Sequence, residues 1–114
     1  MNRNLISLAL LLLLSIGCAK TIRPGSIDAV DSRTYDTLLI AQSILDNAKI
    51  AVVQGKLTDS AKPVINRMGE AYNLLRDLWL QYRATPNAAI EQKIIAATLT
   101  VNQFILDLRG MGVK

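Results

Sequence analysis

The stretch Tyr72–Ile95, "YNLLRDLWLQYRATPNAAIEQKII", contains the end of one amphipathic segment, a turn and the start of another. Before the turn, apolar residues recur every three or four positions, as on one face of an α-helix. Thr85-Pro86 supplies a helix cap followed by a proline at the first helical position. The same spacing resumes from Ile90. Because helices joined by so short a turn pack antiparallel, this stretch predicts a helical hairpin.

A third amphipathic segment precedes this hairpin. It is expected to begin with Asp31 or Ser32 as its cap and to stop at Gly55, and Asp59 or Ser60 is then available to cap the next helix. No strand-like alternation of useful length competes. The sequence therefore predicts an all-α fold, a small antiparallel three-helix bundle spanning residues 32–114, with helices at about 32–54, 61–83 and 86–109.

Each predicted helix has one apolar face, and the three faces together form the predicted core. The first face consists of Leu38, Ala41, Ile44, Leu45, Ala48, Ala51 and Val52. The second consists of Val64, Ile65, Met68, Ala71, Tyr72, Leu75, Leu78, Trp79 and Tyr82, and the third of Ile90, Ile94, Ala97, Val101, Phe104, Ile105 and Leu108.

The first 17 residues have the organisation of an export signal. Arg3 is followed by the uncharged apolar run Leu5–Ile16, and the small residue Gly17 then precedes Cys18. A run of 12 residues is shorter than the roughly 20 that a membrane-spanning helix needs, which favours a cleaved signal peptide over residues 1–17. The alternative interpretation is an uncleaved N-terminal membrane anchor.

Ser15-Ile16-Gly17-Cys18 after a leucine-rich run resembles the lipobox of bacterial lipoproteins, although Ser15 stands where that family usually has leucine. The resemblance implies cleavage between Gly17 and Cys18, a diacylglyceryl group on the Cys18 thiol and an acyl chain such as palmitate on the new amino terminus. It also implies attachment to the membrane through lipid. Since Ala19 is not the aspartate that retains such proteins at the inner membrane, it implies the periplasmic face of the outer membrane in a Gram-negative host.

Cys18 is the only cysteine of the chain, so it cannot form a disulfide within the chain. The alternatives to lipid are a buried inert thiol and an intermolecular disulfide. Residues 18–31 are expected to form a lipidated N-terminus and tether, in which Lys20 and Arg23 lie beside lipid headgroups or are simply solvated. On such a tether Asp28 and Asp31 would be solvated carboxylates.

The composition argues against most catalytic chemistry. The chain has no histidine and only one cysteine, which removes the usual general base and the nitrogen and sulfur ligands of a zinc site. No glycine-rich phosphate loop occurs. The net charge of +4 comes from basic residues scattered among acidic ones, which does not suit nucleic-acid binding. We expect no catalytic residue, no metal and no cofactor other than the lipid on Cys18.

Two apolar sets have open interpretations. Tyr72, Trp79 and Tyr82 form either part of the core or an aromatic ligand platform, and their spacing favours the core. Ile95, Leu99 and Leu106 lie off the main face of the third helix. Either they widen the buried face or they form a surface that binds a protein partner or a second copy.

The sequence thus predicts a membrane-anchored lipoprotein, not an enzyme, whose helical domain acts in protein binding or envelope scaffolding. One alternative is a lysis or envelope-disrupting lipoprotein of phage or prophage type. A further alternative is a carrier of an apolar ligand held between the helices.

Overall fold

The computed structural model describes residues 24–114, which form a bundle of three helices. They are α1, Ala29–Val53; α2, Ala61–Ala84; and α3, Ala88–Gly110. Residues 24–114 contain no strand, and each helix packs against both others, so the predicted all-α three-helix bundle is confirmed. The predicted signal peptide, its cleavage site at Gly17 and Cys18, and the first part of the tether lie outside the described residues.

Two glycines with positive φ end helices in the same way. After α1, Gly55 (φ 71°) donates its N–H to the carbonyl of Val52, and Lys56 donates to that of Ala51. After α3, Gly112 (φ 101°) makes the equivalent turn, and its successor Val113 is buried. A left-handed residue satisfies the last helical carbonyls at little cost when it is glycine. The prediction that α1 stops at Gly55 is therefore confirmed, and Gly112 is the corresponding left-handed glycine after α3.

The starts of two helices differ from the predicted ones. Asp28, in an extended conformation, caps α1 by accepting a 2.9 Å hydrogen bond from the N–H of Asp31, so the helix begins three residues before position 32. The prediction of Asp31 or Ser32 as the cap was wrong because both side chains are buried inside the first turns. At α3 the cap is Asn87, whose side chain accepts from the N–H of Ile90, and not Thr85.

The predicted apolar faces form the core. Met68, Leu75, Val101 and Leu108 are fully enclosed. The remaining buried apolar residues are Leu38, Ala41, Ile44, Leu45, Ala48, Ala61, Ile65, Leu78, Tyr82, Ile94, Ala97, Ile105 and Val113. No helix among residues 24–114 is both long enough and apolar enough to cross a membrane.

Candidate functional site

The most polar buried side chain of the described bundle belongs to Asp31, in the first turn of α1. It has no exposed surface. One carboxylate oxygen accepts a hydrogen bond from the indole Nε1 of Trp79, and the other accepts one from the backbone N–H of Ile27 at 2.9 Å. The expectation of a solvated carboxylate on a tether was wrong for Asp31, because the chain around it is folded against α2.

A second hydrogen bond of the same kind lies beside it. The hydroxyl of Tyr82 donates to Asp28 at 2.6 Å, while the other oxygen of Asp28 caps α1. This hydrogen bond to a carboxylate, with the burial of the phenol, raises the pKa of Tyr82 from 10.0 to about 12. Asp28 therefore links the start of α1 to the end of α2.

Arg83 completes what we name the polar cluster: Asp28, Asp31, Trp79, Tyr82 and Arg83. Its guanidinium lies 5.3 Å from the centre of the Trp79 ring and 3.9 Å from the Asp31 carboxylate. The Arg83 side chain keeps 40% of its surface exposed, so solvent weakens its attraction to Asp31. The cluster is held mainly by the two hydrogen bonds from Trp79 and Tyr82.

The geometry of the polar cluster suits attachment of the start of α1 to α2 better than catalysis or metal binding. Each carboxylate already accepts from groups of its own chain, and within residues 24–114 no three His, Cys, Asp or Glu residues lie close enough to hold a metal ion. What these bonds do is fasten residues 27–31 to the C-terminal end of α2. The chain is therefore held to the bundle from Ile27 onward, nine residues after Cys18.

Sequence reasoning found the aromatic members of this cluster but not its carboxylates. Tyr82 is buried and Trp79 and Tyr72 are half-buried, in keeping with the core interpretation of the aromatic set. The available signal was that a buried indole N–H or phenol needs a hydrogen-bond partner. Asp28 and Asp31, three residues apart, match the three-residue spacing of Trp79 and Tyr82.

The second candidate feature is the apolar surface of α3. Ile95, Leu99 and Leu106 are 51%, 67% and 61% exposed, so these side chains lie outside the core. Ile95 and Leu99 also border a groove of about 230 Å³ between α1 and α3, whose α1 side includes Val30, Arg33 and Thr37. Of the other exposed apolar residues, Leu39, Ile50, Leu74 and Leu80 lie on α1 and α2.

Comparison with known proteins yields no match: neither a protein-family model, nor a curated protein, nor a solved structure is similar to this chain.

Proposed function

We propose that this protein is a membrane-anchored bacterial lipoprotein whose three-helix domain acts by binding protein, as a scaffold and without catalysis. The observation that carries the binding part is the exposed apolar surface at Ile95, Leu99 and Leu106. Three large apolar side chains on one face of a helix lose unfavourable contact with water when another protein covers them.

The lipid anchor rests on the lipobox resemblance at Ser15–Cys18, and the polar cluster gives it a structural consequence. Nine residues separate Cys18 from Ile27, where the fastened segment begins, and they span at most about 30 Å. Because residues 27–31 are fastened to the end of α2, a lipid on Cys18 would hold that end of the bundle close to the membrane surface. The exposed face of α3 would then be presented within a limited distance of the membrane.

The alternatives differ in what they require of the structure. A carrier of an apolar ligand needs an enclosed cavity, whereas the groove between α1 and α3 opens to solvent. Such a groove suits a side chain from another protein better. For a lysis protein, we expect induced expression to disrupt the host envelope, whereas a scaffold leaves growth unaffected.

Metabolic labelling with a palmitate analogue tests the anchor. We expect label on the wild-type protein and none on Cys18→Ser. Chemical crosslinking in cells tests the binding surface, and we expect the double variant Ile95→Asp/Leu99→Asp to lose the crosslinked species while keeping its helical circular dichroism. A folded double variant that crosslinks as well as the wild type would contradict binding through α3, and loss of its helicity would assign the two residues to the core.

A further inference from the structure

The exposed face of α3 carries more than its three apolar side chains. We name as the α3 stripe the residues Glu91, Ile95, Leu99, Asn102, Leu106 and Arg109, which follow one another at spacings of three or four. Residues at these spacings lie on one side of a helix. Glu91 is half-buried and the other five are exposed. The stripe has an acidic end, an apolar middle and a basic end.

The two charges are separated by a whole number of helical turns. Eighteen residues at 3.6 per turn make five turns, so Glu91 and Arg109 lie in line along the helix and about 27 Å apart. Neither side chain forms a salt bridge within residues 24–114. Opposite charges at the two ends of an apolar stripe are what a surface needs in order to fit a reversed copy of itself.

We propose that the partner covering the α3 stripe is a second copy of this chain, docked antiparallel about a two-fold axis near Leu99. In that register Glu91 lies opposite Arg109 of the second copy, and Ile95 lies opposite Leu106 of the second copy. Leu99 lies next to its own counterpart at the axis. The inference deepens the proposed function and rests on it, because it names the protein that the α3 surface binds.

The charges around the stripe favour this direction over a parallel one. Arg33 lines the same groove as Glu91 and offsets part of its charge, whereas Lys114 lines a pocket with Arg109 at the other end and adds to its charge. A parallel pair would bring Arg109 and Lys114 of both copies together, and like charges at an interface disfavour binding. An antiparallel pair places each basic end against the end that contains the Glu91 carboxylate.

The size of the stripe indicates a weak dimer. A face about 27 Å long and one helix wide buries less surface area than the roughly 800 Å² that each partner buries in a standard interface. Confinement of both copies to one membrane by a lipid raises their effective concentration, as linking does for paired binding modules. Because antiparallel docking puts the two anchored ends at opposite ends of the dimer, both copies would lie with α3 along the membrane surface.

Crosslinking with a short bismaleimide tests the proposal in the full-length protein on membranes, in variants that each gain one cysteine and keep Cys18. Leu99→Cys should give a covalent dimer, because its thiols meet at the axis. Leu74→Cys is the matched control, a leucine of similar exposure (56%) on α2, and should give several-fold less. Glu91→Cys and Arg109→Cys should each stay monomeric alone and crosslink when co-expressed with the other.

Three results would overturn the proposal: Leu99→Cys dimerising no more than Leu74→Cys, Glu91→Cys crosslinking efficiently with itself, or the co-expressed pair failing to crosslink. The unsubstituted chain separates this failure from failure of the proposed anchor. A lipidated Cys18 is a thioether and does not react, so that chain stays monomeric whichever way the stripe behaves. Crosslinking of the unsubstituted chain would mean that Cys18 is a free thiol, and the anchor would then be wrong.

Discussion

Removal of the Asp31 carboxylate is expected to be among the most destabilising changes to a polar side chain of this bundle. Asp31→Ala leaves the indole N–H of Trp79 and the backbone N–H of Ile27 without their acceptor. Asp31 has no exposed surface, so water does not replace the carboxylate without rearrangement of the cluster. The substitution thus leaves two part-buried donors without an acceptor in addition to removing their bonds.

The magnitude follows from these contacts. A hydrogen bond to a charged group contributes about 1.5–3 kcal/mol, so two of them suggest a loss of about 3–6 kcal/mol in the free energy of unfolding. Arg83 adds little, because it lies 3.9 Å away and is partly solvated. For a domain of this size each kcal/mol shifts the melting temperature by roughly 4–8 °C, so we expect Asp31→Ala to lower it by about 12 °C or more. Asp31→Asn keeps the volume and one acceptor and should lose about half as much.

Urea unfolding of the full-length chain in detergent measures this loss. Circular dichroism follows the helices, and the fluorescence of Trp79, the only tryptophan, reports on the polar cluster itself. Asp46→Ala is the matched control, since Asp46 is an exposed aspartate on the same helix and should change stability by less than about 0.5 kcal/mol. A loss below about 1 kcal/mol for Asp31→Ala would contradict the hydrogen bonds assigned to the Asp31 carboxylate.

Three other substitutions probe the cap, the core and a helix interior. Tyr82→Phe should lower the free energy of unfolding by about 1–2 kcal/mol at pH 7. Because folding raises the pKa of Tyr82 from 10.0 to about 12, the stabilisation by its hydroxyl is complete below pH 10 and is lost towards pH 12. The urea midpoints of wild type and Tyr82→Phe should therefore converge over this range. Leu75→Ala should cost about 2–5 kcal/mol by urea unfolding and its exposed neighbour Leu74→Ala less than 1, and equal losses would contradict the assigned helix face. Gly69→Ala should raise the free energy of unfolding by about 0.5–1 kcal/mol, and with it the melting temperature, because the added methyl group meets nothing within 4 Å. A lower melting temperature would show that the site is crowded.

The helices and their buried faces were predictable because their signals are local. Apolar residues recurring every three or four positions identified the core, and Gly55 identified the end of α1. The cap of α1 was not predictable in the same way. Asp28, Asp31 and Ser32 are all good capping residues within five positions, and the choice among them depends on α2.

The polar cluster could not be found from local patterns for the same physical reason. Asp31 and Trp79 are 48 residues apart, and their bond exists only once α1 has packed against α2. An aspartate just before a helix is usually solvated, and for this reason the sequence alone favoured a tether at residues 18–31. The α3 stripe is the opposite case, since its spacing is visible in the sequence while its exposure required the packed structure.

The lipid anchor on Cys18 is tested by the intact mass of the protein extracted from membranes, compared with that of Cys18→Ser. We expect the mass of residues 18–114 plus acyl chains for the wild type, and no such species for the variant. A mass of about 12.5 kDa for both proteins, that of the unmodified full-length chain, would contradict the lipid anchor. It would favour Leu5–Ile16 as an uncleaved anchor or a packed helix.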